Sequence, residues 1–256
     1  SFSPIVREGL DASASLFTIG GETLSQACAI PIPLATLIPC VEAILRTYPA
    51  EPMRDGDIYI MNEPYMGGTH LPDIALVMPV FHDGRPIALT AAMTHHQDVG
   101  GMTPGSVPTN ATEIFQEGLR IPPLKLRDAG AMNDTLVRML RLNVRIPDTV
   151  MGDLDAQIAA CQLGGRRLAG LAATHGVAML TAIFAALLDR SERMTREALR
   201  GIPAGTYRHV DHLDNDGIEL DRPIRIEVAV TVGDGRFHVD FAGTSRQLKE
   251  IGRAHV

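Results

Sequence analysis

The sequence predicts an α+β fold, on three observations. Strand-like runs fall in two groups, within residues 57–93 and 224–241, and helical periodicity lies between them instead of alternating with strands. Each group contains an Asp-Gly dipeptide between apolar runs, Asp83-Gly84 and Asp234-Gly235, which signals a tight antiparallel hairpin. No Gly-x-Gly-x-x-Gly stretch is present, so a doubly wound parallel sheet is not indicated.

Residues 1–35 are rich in Ser, Ala and Pro and read as irregular, with a short strand at Ala14–Thr18. Leu34–Tyr48 carries Leu37, Ile38, Val41, Ile44 and Leu45 at helical spacing and ends near Pro49. Strands follow at Asp57–Met61, Ile74–Phe81 and Ile87–Met93. The last two are almost continuously apolar, so both of their faces should be covered. Val99–Thr112 holds no charge and is crowded with Gly, Pro, Thr and Ser, and uncharged loops of that length are usually functional or disordered. Leu136–Val144, Thr149–Thr174 and Val177–Leu199 read as helices, with Gly176 capping the second. Ile224, Ile226, Val228, Val230 and Val232 then alternate with Arg225, Glu227, Ala229 and Thr231, and Asp234-Gly235 turns the chain into Phe237–Phe241 as a half-exposed hairpin. The expected regions are 1–132 for the active site, 133–200 for the helices and 201–256 for the antiparallel strands.

Composition narrows the function. Among 256 residues, 23 Lys+Arg stand against 30 Asp+Glu for a net charge of −7, with 45% apolar and 21% charged residues, the profile of a folded globular chain. With no basic block, 4% aromatics and no Trp, neither nucleic acid nor an anionic membrane is an expected partner. The uncharged run Thr23–Val41 is interrupted by Pro31, Pro33 and Pro39, and Leu168–Leu188 has His175-Gly176 at its middle, so neither reads as a membrane span. No signal-peptide pattern follows Ser1. Cys28, Cys40 and Cys161 form no Cys-x-x-Cys and read as small buried hydrophobes in a reducing, cytoplasmic setting.

The densest set of metal-ligand types is His70-Leu71-Pro72-Asp73 with His95-His96-Gln97-Asp98. A two-residue hairpin loop at Asp83-Gly84 carries Asp73 opposite Thr94, and a three-residue loop with a bulge carries it opposite His95. Either register brings His70, Asp73 and His95 to one open end, where two imidazoles and a carboxylate suit Zn²⁺, Mn²⁺ or Fe²⁺. Such an ion lowers the pKa of water and polarises carbonyls. The plainer alternative is a set of turn and surface polar residues at strand ends. Gly67-Gly68 and Gly100-Gly101 flank the set, either for close approach to a ligand or simply for turns. His82, His175, His209, His212 and His238 carry no assignment. In Gln116-Glu117-Gly118-Leu119-Arg120, Arg120 could grip a carboxylate or phosphate with Glu117 as acid/base or orienting partner, or the stretch could be a solvated helix start with an ion pair. No phosphate-binding P-loop is present.

The stretches Gly56-Asp57-Ile-Tyr-Ile-Met-Asn62-Glu63-Pro64-Tyr-Met-Gly67-Gly68-Thr-His70-Leu-Pro72-Asp73, Thr94-His95-His96-Gln-Asp98-Val-Gly100-Gly101-Met-Thr-Pro104-Gly105-Ser and Glu113-Ile-Phe-Gln116-Glu117-Gly118-Leu-Arg120-Ile-Pro122-Pro123 resemble the hydantoinase B/oxoprolinase family. Weaker matches include Arg7-Glu8, Asp11, Asn143-Val-Arg145, Gly152–Ala160 and Phe241–Ser245. The resemblance implies a subunit of an ATP-dependent ring-opening amidohydrolase acting on hydantoins, 5-oxoproline or related lactams. In such systems an A-type ATPase partner phosphorylates the substrate carbonyl, and the B-type subunit takes the activated species to product in a hetero-oligomer. The resemblance adds Glu8 as fourth metal ligand to His70, Asp73 and His95. It puts His96 and Asp98 behind the ligands or beside the substrate, in a catalytic set with Glu117, while Arg120, Gln116, Gly100 and Gly101 bind substrate under the 99–112 loop.

Two departures stand out. Glu63 occupies the place of an Asp common in the family, and Pro33 stands where many members carry His. Lys249–Val256 does not follow the family, whose chains are longer at both ends, so a fragment of a longer chain is expected. Two other readings of the resemblance are a subunit of a ketone carboxylase and a non-catalytic scaffold that binds the A-type partner.

Overall fold

The computed structural model describes residues 2–27 and 31–248, and the side chains of 31–34 are not described. The expectations for Cys28 and for the Pro33 side chain therefore lie outside the described residues. The architecture is α+β, as expected, and falls into two compact units: residues 1–107 with 115–182, and 108–114 with 183–256.

In the first unit, α1 (Pro4–Arg7) leads into β1 (Ala12–Thr18) and β2 (Thr23–Ala27), then α2 (Pro31–Thr47), β3 (Ile58–Met61), β4 (Asp73–His82), β5 (Arg85–His95), β6 (Leu124–Asp128), β7 (Ala131–Met132), α3 (Asp134–Asn143) and α4 (Pro147–His175). The strands form one antiparallel sheet in the order β2-β1-β5-β4-β3-β6-β7. Helices cover both faces of its centre. Leu37, Cys40, Val41 and Ile44 of α2 pack on Phe17, Tyr59, Met61, Ala75, Val77, Leu89, Ala91 and Met93. On the opposite face α4 lies so close that a Cβ on Gly165 would meet Met78 and one on Gly164 would meet Thr90. The first eight residues of β4 are accordingly all buried, which is why its sequence is continuously apolar.

Three local results differ from the expectations. The proline-rich stretch belongs to α2, because prolines in a first turn remove only N–H groups that lack intrahelical acceptors, and only Pro39 is interior. The stretch 1–35 also holds an extra strand, β2, which pairs with β1 through a bulge. Finally, the β4–β5 loop is a two-residue turn with Asp83 and Gly84 at φ 47° and 72°, yet the register shifts one residue beyond Val80. Pro86, opposite Phe81, has no N–H for the ladder, and the extra residue Ile87 is accommodated there. Asp73 consequently faces His95 directly.

The second unit contains most of α5 (Val177–Arg200), followed by β8 (Gly205–Leu213), β9 (Ile224–Gly233) and β10 (Arg236–Asp240). These strands form an antiparallel sheet in the order β10-β9-β8, with the expected turn at Asp234-Gly235. Gly176, at φ 81°, caps α4 as expected. Among the described residues no single helix is long and apolar enough to cross a membrane.

Candidate metal centre

Three side chains converge at the open end of the β4–β5 hairpin, on the sheet face that α2 covers. His70 Nε2 lies 3.1 Å from His95 Nδ1 and 3.0 Å from Asp73 Oδ1, and His95 Nδ1 lies 3.2 Å from that same oxygen. Donors sharing one ion at about 2.1 Å lie roughly 3.0 Å apart in octahedral and about 3.4 Å apart in tetrahedral coordination, so the triangle fits one divalent ion. It is the one such cluster of His, Cys, Asp and Glu among the described residues. Local structure explains it. Asp73 opens β4 opposite His95, which closes β5, and a turn from His70 O to Asp73 N–H brings His70 back over the strand end. Thr69 donates its hydroxyl to Asp73 Oδ2 at 2.6 Å, which leaves Oδ1 directed at the imidazoles. Burial raises the Asp73 pKa, but the hydrogen bonds from His70, His95 and Thr69 outweigh it and hold the carboxyl well below the usual carboxylate range. A charged carboxylate and two imidazoles form a mixed O/N donor set for a divalent transition ion.

Glu8 does not join them. It caps α1 with an exposed side chain 3.7 Å from Arg7. The second carboxylate beside the triangle is Asp11, with Oδ2 3.7 Å from His95 Nδ1. Asp11 continues β1 alongside β5, accepting the His95 N–H, so strand alternation places both side chains on one face. The sequence match at Asp11 and the pairing of a first strand with β5 are the signals that could have found it.

The same alternation sends His96 to the other face. It is fully buried toward α4, with Nε2 2.8 Å from Gln157 Oε1, and burial pushes its pKa down. Asp98 is buried within its own loop. Its oxygens accept the N–H groups of Gly100, Gly105 and Arg145 and the Arg145 guanidinium, which outweigh burial and hold its carboxyl below the usual range. Arg145 also donates to the carbonyls of Gly100, Gly101 and Thr103, and Ser106 bridges Val99 and Gly100. Residues 98–106 are therefore a cross-braced loop.

The expected substrate-side residues are also bound into the framework. Gly100 and Gly101 have φ of 91° and 81°, and a Cβ there would fall 2.6 Å from Asn143 O and 2.5 Å from the Glu117 carbonyl. They permit backbone contact, the turn role left open by the sequence. The Gln116 carbonyl accepts the Met102 N–H, and Glu117 is buried in the same crossing segment. Arg120 forms a bidentate pair with buried Glu63, at 2.7 and 2.8 Å, and lies over the Phe115 ring. The paired guanidinium holds the Glu63 carboxyl below its ordinary range. Asn62 bonds Leu71 O, Leu119 O and Ile121 N, tying the His70 turn to the segment carrying Arg120. Cys40 and Cys161 are buried, and burial pushes both thiols up to about 12, as fits inert core residues.

Fold and site together describe an antiparallel α+β protein with a His-Asp-His cluster at one hairpin end whose spacing could hold a divalent ion. The chain belongs to the hydantoinase B/oxoprolinase family, whose profile matches residues 1–253. An uncharacterised protein of Methanocaldococcus jannaschii is 36% identical over 97% of this chain and 44% of its own length. The structure of the ATP-dependent caprolactamase from Pseudomonas jessenii superposes with a TM-score of 0.82 at 33% identity, over 90% of this chain and 39% of that one. Nucleotide-free acetone carboxylase superposes with a TM-score of 0.86 at 25% identity, over 96% and 34%. The chain thus spans less than half the length of the relatives it matches.

Proposed function

We propose that this chain supplies the metal-bearing part of a B-type subunit in a cytoplasmic, ATP-dependent ring-opening amidohydrolase. Its substrate would be hydantoin, 5-oxoproline or a related lactam, phosphorylated on the carbonyl oxygen by an A-type ATPase subunit in the same hetero-oligomer. The observation that carries this reading is the 3.0–3.2 Å triangle of His70, Asp73 and His95 at the open end of the hairpin, where the three side chains are largely buried. A divalent ion held there would supply Lewis acidity and an activated water. The chain's own residues divide the remaining work. Thr69 orients Asp73, Asp11 adds negative charge beside His95, and the Asp98–Arg145 brace fixes the 98–106 loop. In this reading His96, Asp98, Glu117, Gln116, Arg120, Gly100 and Gly101 hold the loop and strand ends around the ion without ligating it, and exposed Glu8 stands outside the ligand set.

The test is metal content and turnover of the intact protein with its partner, ATP and a lactam. His70→Ala should keep the far-UV spectrum of wild type while losing stoichiometric transition metal and nearly all turnover. Full activity in that variant would refute the assignment. The likeness to acetone carboxylase supports a second reading, a ketone carboxylase subunit. Turnover of a ketone with bicarbonate, and none of any lactam, would favour it.

A further inference from the structure

We infer that Gln157 is a positioning residue for the metal centre, acting from the opposite face of the sheet. This inference rests on the metal-centre reading above. Gln157 lies in the sheet-facing stripe of α4 between Leu154, Ile158 and Cys161, and is only 3% exposed. An apolar side chain would fill that place without the desolvation cost of an amide. The amide instead meets the sheet where the centre is built. Nε2 donates to Ile74 O at 2.9 Å and to Ala92 O at 3.3 Å, and Oε1 lies 2.8 Å from His96 Nε2. Because Nε2 is the donor to both carbonyls, Oε1 is the acceptor, and the His96 ring carries its proton on Nε2. His96 Nδ1 is then a buried acceptor with no hydrogen-bond partner among the described residues, and the ring's hydrogen bond goes to Gln157.

The three contacts bracket both strand-borne ligands. Ile74 follows Asp73, and His96 follows His95, in strands that face each other at this rung. One side chain thus holds the two strand ends in the register that sets the spacing between Asp73 Oδ1 and His95 Nδ1, 3.2 Å. The bulge at Ile87 leaves the turn unable to fix that register alone, and Gln157 adds to the strand ladder a constraint at the far end of the hairpin.

The experiment is a Co²⁺ titration of the intact protein, followed by visible absorption and calorimetry. Gln157→Met, which keeps length and packing and loses all three hydrogen bonds, should bind Co²⁺ about ten- to a hundredfold more weakly, with shifted d–d bands. Ile158→Val, a packing change in the same stripe, should retain wild-type affinity and bands. If the Met variant does not fold, Gln157→Glu carries the same readout, since it keeps the oxygen that faces His96 and loses the N–H donor. Wild-type affinity and bands in whichever variant folds would overturn the inference while leaving the metal centre standing. Failure of both to fold beside a stable Ile158→Val would also overturn it, by making Gln157 purely structural. Absence of Co²⁺ binding in wild type, or binding that survives His70→Ala, would overturn the metal centre and this inference together.

Discussion

Neighbouring residues of one type take different roles here because backbone direction decides what each can reach. His95 and His96 are adjacent, yet one points into the His70–Asp73 cluster and the other into the α4 interface. The same logic gives Arg120 to Glu63. A bidentate carboxylate pair uses the planar guanidinium fork, which Lys cannot reproduce. Arg120→Lys should therefore lower the urea midpoint measurably while leaving KM little changed. A raised KM at unchanged stability would instead make Arg120 a substrate ligand. Asp57 gives a pH prediction. It is fully buried and accepts from Lys125, Tyr59 and the N–H groups of Arg54 and Ala129. Burial raises its pKa, and these partners more than reverse that, leaving it below its ordinary value. A carboxyl depressed in the folded state contributes stability above its unfolded pKa of about 3.9 and loses it as pH falls through the folded value. Urea midpoints should be flat from neutral pH to about 5 and fall below about 4. Asp57→Asn should lose about 2 kcal/mol at pH 7 and show a shallower acid limb. Equal acid limbs in the two proteins would remove Asp57 from the account.

At the scale of elements, the site is a hairpin end held from several sides. The 98–106 loop is braced by Asp98, Arg145 and Ser106, and its glycines differ in what surrounds them. Gly101 combines a left-handed φ with backbone at 2.5 Å, whereas Gly105, at φ 85°, faces open space. Gly105→Ala should lose about 1 kcal/mol, the left-handed penalty alone. Gly101→Ala should lose at least twice that, because the loop must also move off the Glu117 segment. Denaturant titrations of the two variants check this, and equal losses would mean that the loop yields freely at Gly101. Much of this level was legible. The hairpin, α3, α4, the Gly176 cap and the β9–β10 turn were all marked by periodicity and turn residues. The short strands β2, β6 and β7 were not, because their pairing comes from neighbours distant in sequence and not from their own patterns.

For the whole molecule, a divalent ion that binds only the folded state must couple to global stability. With ion at a hundredfold excess over Kd, the stabilisation is about 2.7 kcal/mol. A chelator should therefore lower the Tm of the metal-loaded protein and leave His70→Ala unmoved in a calorimetric scan, and an equal drop in both would place the ion elsewhere. The sequence by itself determined the α+β class, the hairpin and the gathering of His70, Asp73 and His95 at its open end, because strand alternation, Asp-Gly turns and clustered ligand types are local or nearly so. Family membership was legible for the same reason: the motifs are contiguous. Only the tertiary structure decided the register that sets Asp73 against His95, since a bulge at Pro86 and Ile87 overrides the turn. It also set Asp11 beside the centre in place of Glu8, and bound Arg120, Asp98, Gly100 and Gly101 into the framework. Those outcomes depend on which strands pair and which buried polar groups find partners, and such contacts join residues that lie far apart along the chain.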